Sequence, residues 1–178
     1  MEITNAVGNK TGAKVDESNR LHTLAVSETE FLSINENEKQ AYTWNFPRYD
    51  YSAGDTVMWL RNDSNLNLHI HHVYLYCDTA TDFFVHKPVS TVAAGTSVTP
   101  CNINFTSANI AEATAFQDET TNVTGDILQT EYIAANGTVS ILKEEGYEVI
   151  LGKNDIFAID IVTEGTGTLG HIVGFFKA

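Results

Sequence analysis

An all-β domain is the expectation from this chain, and three observations carry it. Gly, Thr, Asn and Val recur along the whole length, while Ala/Leu/Glu/Lys-rich helical blocks are missing. Short runs of alternating apolar and polar residues return every ~8–12 residues. Clusters of Gly, Asn, Asp, Ser or Pro separate those runs. The pattern belongs to a sandwich or a barrel. At 178 residues and 19.6 kDa the chain suits one such domain with an arm rather than two full domains.

Residues 1–36 lack a sustained apolar period, with one short strand candidate at 21–26, and read as an N-terminal arm; residues 37–178 read as the sandwich. In "AYTWNF", Tyr42, Trp44 and Phe46 alternate with Thr43 and Asn45, the signature of a half-buried strand that Pro47 is expected to end. A turn at "SAGD" launches "TVMWLRND", which is apolar on both faces and so predicts a central strand covered on both sides. After the turn "DSNLN" come the strand "NLHIHHVYLYCD", then "DFFVHKPV", then a turn at "AAGTSV". In "TPCNINFT", Cys101, Ile103 and Phe105 are expected to face one way and Asn102, Asn104 and Thr106 the other. "SANIAEATAF" has the composition of a short helix or of a loop followed by a strand. "GTVSILKE" and "YEVILGKNDIFAIDIVTEG" follow, with "GKND" read as a hairpin turn, and "EGTGT" reads as a flexible loop before the terminal strand "TLGHIVGFFKA".

The formal charge of -13 makes the surface acidic, which disfavours nucleic acid and anionic membrane as partners. No apolar run approaches the ~18 residues of a membrane span, and the opening "MEITNAVGNK" has neither the basic nor the apolar region of a secretion signal, so a soluble, unexported protein is expected. On that expectation the Asn-x-Ser/Thr triplets at Asn9, Asn62, Asn104, Asn122 and Asn136 reflect composition rather than glycosylation. Cys77 and Cys101 are too few for a disulfide framework and are expected as buried thiols in neighbouring strands, with a bridge between them as the alternative.

The stretch Asn65–Asp78 holds three of the six histidines within four positions. Strand side chains alternate, yet Leu66, Leu68 and Ile70 share one phase while Val73, Leu75 and Cys77 share the other. One extra residue near His71 and His72, a β-bulge, puts all six on the core side. His69, His71, His72, Tyr74 and Tyr76 then project from the opposite face. Such amphipathic rings lose apolar area to a partner while hydrogen-bonding at the tip, so the row predicts a subunit surface. If the imidazoles sit neutral in that contact, protonation near pH ~5–6 is expected to loosen it. A metal reading rests on His69 and His71, which at i and i+2 lie ~6.5–7 Å apart on one strand face. The cupin pattern needs a Glu several residues after its His-x-His pair, and here that Glu is absent. There is no Gly-x-Ser-x-Gly elbow, phosphate-binding Gly/Lys loop or Cys-x-x-Cys, and Asp78, Asp82 and Glu112 read as turn-end or solvated carboxylates.

Three pieces carry a family resemblance. "VGNKTGAKVDESNRL" resembles the arm that many tailed-phage virion proteins place before a small jelly-roll. "AGDTVMWLRNDSNLNLHI" resembles the strands that open such a sandwich, and "VILGKNDIFAIDIVTEGTGTLGHIVGFF" resembles its closing strands, with "PCNINFTSANIAEATAF" fitting the segment between. The resemblance implies a jelly-roll-like (tumour-necrosis-factor-like) antiparallel β-sandwich with an extended N-terminal arm. It implies a non-enzymatic virion protein assembled in the host cytoplasm, a capsid decoration (cement) protein or head fibre, with no cofactor and no catalytic residue. Its partners would be its own copies, as a homotrimer, and the major capsid protein or other virion subunits. The subunit contact would use His69, His71, His72, Tyr74 and Tyr76 with Ile172 and Phe176 of the last strand, and the arm would dock through Val15, Asp16, Arg20 and Leu21. The competing expectations are a tail-borne receptor- or carbohydrate-binding module and a cupin-like metal protein using His69 and His71.

Overall fold

A computed structural model describes residues 30–88, 95–117, 125–141 and 148–177, together with the backbone of four short strands before them. Those four are β1 (Glu2–Thr4), β2 (Lys10–Gly12), β3 (Lys14–Val15) and β4 (Leu21–His22), with β1 paired to β2 and β3 to β4. The expected docking residues Val15 and Leu21 face one another in the β3–β4 register. Their side chains, with Asp16 and Arg20, lie outside the described residues.

The sandwich begins with a helical turn, α1 (Glu30–Ser33), that continues as a π turn over Ile34–Glu38 and stops at Lys39 in the left-handed region (φ 57°). Ten longer and shorter strands follow before the last two: β5 (Ala41–Tyr51), β6 (Thr56–Asn62), β7 (Asn67–Cys77), β8 (Thr81–Pro88), β9 (Thr96–Ser97), β10 (Pro100–Asn102), β11 (Ala113–Gln117), β12 (Gly125–Ile133), β13 (Gly137–Ile141) and β14 (Val149–Leu151). The chain closes with β15 (Ile156–Ile161) and β16 (Gly165–Lys177). Sheet I has the order β10-β5-β16-β7-β13, with β14 beside β13 on the same flank of β7. Sheet II has the order β12-β8-β15-β6-β11-β9. Every pairing is antiparallel, and the chain crosses between sheets at nearly every long connection, the jelly-roll-like order of two interlocked Greek keys.

The core fills the space between the sheets. Trp44, Phe46, Leu68, Val73 and Ile172 from sheet I meet Met58, Leu60, Phe83, Phe157 and Ile159 from sheet II, all at 0–1% exposure. The alternation read in the sequence is therefore the physical one: in β5, Tyr42, Trp44 and Phe46 are buried while Asn45 is exposed. β6 is buried along both faces, as its unbroken apolar run requires. Among the described residues no helix is long and apolar enough to cross a membrane.

Several local expectations are corrected. Pro47 does not end β5, which runs on to Tyr51; the register with β16 slips between Phe46 and Tyr49, and β10 flanks β5 only over Tyr42–Trp44, so the proline sits in a bulge on an open edge where its missing N–H costs no ladder bond. "GKND" is a turn but not a hairpin, because β14 belongs to sheet I and β15 to sheet II. "EGTGT" is largely strand: β16 starts at Gly165, and Gly167 takes φ 63° there. β10 stops at Asn102, because the Asn102 and Asn104 carboxamides accept the backbone N–H groups of Asn104 and Thr106, two successive turns that compete with a ladder. Phe105 is consequently 95% exposed, and Cys101 is exposed rather than buried, with β5 and β16 between its strand and that of Cys77. "SANIAEATAF" resolves into loop and strand β11. The helical turn lies instead at Glu30–Ser33, inside the segment read as arm, where Phe31 and Ile34 pack on Ala41 and Phe175.

Candidate functional site

The outward face of sheet I is built on β7 and β16. Along β7, Leu68, Ile70, Val73, Leu75 and Cys77 are all 0% exposed, so the apolar phase does change sides within one strand. The register shows how: His72 lies opposite Val173 and Ile70 opposite Gly174, leaving His71 with no counterpart on β16. His71 is the extra residue of a bulge. On its other flank β7 changes partner at the same place, from β14 (opposite Leu68–Ile70) to β13 (opposite Val73–Cys77). Gly174 allows the close approach, since a Cβ there would stand 2.7 Å from the His69 carbonyl oxygen.

The bulge gathers the rings outward, each in a different setting. His69 is 8% exposed and stacks on Phe175 at 5.0 Å. Glu148 Oε2 lies 2.9 Å from its Nδ1, off the line of a good hydrogen bond. His71 is exposed on one side and stacks on Phe31 at 4.9 Å on the other. His72 is half-buried, 5.8 Å from His171, and His171 stacks on Tyr74 at 5.2 Å. Burial holds both His72 and His171 below the usual imidazole range, and for His72 the neighbouring His171 and His71 add to the effect. At the far end Tyr76 donates to Asp78 Oδ1 (2.7 Å), which raises the phenol's pKa, while Arg48 pairs with Asp78 and lies over the Tyr76 ring. Asp78 is thereby occupied as a structural anion.

Ile172 and Phe176 are elsewhere. They are 0% and 1% exposed within one chain, facing the core, and have no area left for a subunit contact. The outward residues of β16 are Leu169, His171 and Val173, with Phe175 on the same side but covered by Phe31 and His69. Along β16 the glycines at 170 and 174 share the phase of Ile172, and His171 the opposite one. His71 and His69 are held on separate aromatic partners, Phe31 and Phe175. No group of three or more His, Cys, Asp or Glu among the described residues is placed to hold an ion.

The outward face of sheet II carries a second polar cluster that sequence reading did not single out. Thr56 Oγ1 donates to Asp160 Oδ1 (2.8 Å), and His86 Nε2 lies 3.2 Å from Asp160 Oδ2. All three are buried, with Trp59 and Ala158 beside them at 0% exposure. Burial raises the Asp160 pKa, against the opposing pull of the Thr56 hydrogen bond and of His86. The carboxylate stands between hydroxyl and imidazole, whereas a nucleophile relay needs the imidazole between the other two.

Comparison with protein-family models, curated proteins and solved structures finds no match. The reading of function therefore rests on the surfaces themselves. Besides the ring-bearing face, the flank where β12 borders sheet II exposes Ile127 (51%), Leu128 (53%) and Tyr132 (62%). Leu128 joins Ile150 of β14, itself 53% exposed, on the wall of a cavity of about 290 Å³.

Proposed function

We propose that this protein is a non-catalytic structural subunit of a tailed-phage virion, a capsid decoration protein or head fibre that assembles as a homotrimer and is anchored by its N-terminal arm. The observation that carries the reading is a pair of unlike, unsatisfied surfaces. One is the imidazole and phenol face of β7 and β16; the other is the aliphatic flank of β12 and β14. Two different patches on one chain fit a head-to-tail contact, and such a contact closes into a ring when its rotation divides the circle. The sequence resemblance to arm-bearing virion sandwiches supplies the setting and the number three.

Sedimentation of the full chain tests the assembly. The wild type should run as a trimer, and Tyr74→Glu on the face or Leu128→Glu on the flank should each run smaller with unchanged circular dichroism. An equimolar mixture of the two variants keeps one intact contact and should stop at a dimer. A wild type that stays monomeric at tens of micromolar, about where useful contacts assemble, removes the proposal. Deleting residues 1–29 should leave a folded oligomer that no longer attaches to particles, and attachment by the truncated protein would defeat the arm's role. One observation favours a receptor- or carbohydrate-binding module instead: Phe105 stands 95% exposed on a loop stiffened by Asn102 and Asn104. Glycan-array binding lost in Phe105→Ala would favour that reading.

A further inference from the structure

The structure brings together a pair of histidines that sequence spacing does not mark. His72 and His171 come from neighbouring antiparallel strands and stand diagonally on the outward face of sheet I, ring centroids 5.8 Å apart. An imidazole nitrogen lies ~1.1 Å from its ring centroid and a metal–nitrogen bond is ~2.0–2.1 Å, so two imidazoles sharing one ion hold their centroids roughly 5–6.5 Å apart. The observed separation falls inside that range.

Three further facts make the pair available to an ion. Among the described residues neither ring has a hydrogen-bond partner or a carboxylate paired with it, whereas His69 and His86 each face a carboxylate. The stacking of His171 on Tyr74 uses the ring face and leaves the in-plane lone pair at the ring edge free. The chain's net charge of -13 attracts cations. The titratable groups facing the pair are Tyr74, stacked on His171 at 5.2 Å, and His71, which adds to the repulsion felt by protonated His72.

We propose that His72 and His171 form a binding site for a divalent transition ion that takes imidazole nitrogen, copper(II) most strongly and then nickel(II) or zinc(II), with water completing the shell. The ion would bridge β7 to β16 beside the bulge. This does not rest on the assembly reading, though it uses the same face.

The test uses the full chain without a tag, stripped with chelator and then titrated with copper(II) sulfate under calorimetry and electron paramagnetic resonance. The expected result is one ion per chain with a two-imidazole-nitrogen signature and a rise in melting temperature. His72→Gln and His171→Gln should each lose that signature, while His69→Gln and His71→Gln keep it. A signature that survives His171→Gln, or one that His71→Gln alone abolishes, overturns the site. Repeating the titration in Leu128→Glu, which leaves the outward face uncovered, separates a site blocked by assembly from no site: binding there supports the proposal, and no binding in either protein overturns it. Sedimentation in chelator, read alongside, reports the assembly independently of the ion.

Discussion

The two outward faces of the sandwich carry similar chemistry to opposite ends. On sheet II, Thr56 and Trp59 are 0% exposed and His86 and Asp160 each 7%, so the face is closed within one chain; Thr56 donates to Asp160, while the His86 nitrogens and Trp59 Nε1 are buried without a hydrogen-bond partner. On sheet I, His71 is exposed, and His72, Tyr74, Tyr76 and His171 are half-buried, with His171 touching His72 and Tyr74 and area left uncovered. Histidine on both faces thus marks neither a site nor a surface; what its ring nitrogens find decides its role. A closed polar face contributes to stability, and an open aromatic one is available to a partner.

The strongest way to break this contrast is to truncate a ring on each side. Trp59→Ala should destabilise by ~3–5 kcal/mol, whereas Tyr74→Ala should cost under ~1 kcal/mol in the monomer and act on association instead. Urea unfolding of each variant, beside its sedimentation, measures the difference; equal losses of stability would erase the distinction between the faces. Next in size is Thr56→Val, which keeps the shape but takes the donor from Asp160 Oδ1. It should cost ~1–3 kcal/mol, since the buried carboxylate is left without that bond. Smallest is a pH effect that sharpens the comparison. Asp160 titrates higher folded than its ordinary value of 3.8, chiefly through burial. The unfolded chain therefore releases this proton first, so the stabilisation is fully present below the unfolded value and lost as pH rises through the folded one. Asp160→Asn should flatten the fall in unfolding free energy over that window. An unchanged slope would mean that the carboxyl is not held in a closed face.

Much of the fold and part of the face were legible in the chain itself. The alternation of Tyr42, Trp44 and Phe46, the unbroken run of β6 and the change of phase between Ile70 and Val73 each reproduce the observed burial, the last as a bulge at His71. What misled was local chemistry with two outcomes. Asn102 and Asn104 can sit in a strand or turn the backbone with their own carboxamides, and they do the second. The last strand hid its outward side because glycine, which has no side chain to declare a face, occupies alternate positions around Ile172.

Strand periodicity is a property of covalent geometry, so the sequence alone determined which residues of β5, β6 and β7 go in and where β7 had to slip. Which strands lie side by side was decided only when the chain closed into two sheets. That closure set His171 against Tyr74 and near His72, brought Phe31 over His71, and buried Asp160 between Thr56 and His86. Those meetings join residues far apart along the chain, and their free energy depends on contacts that exist only once the whole sandwich has formed.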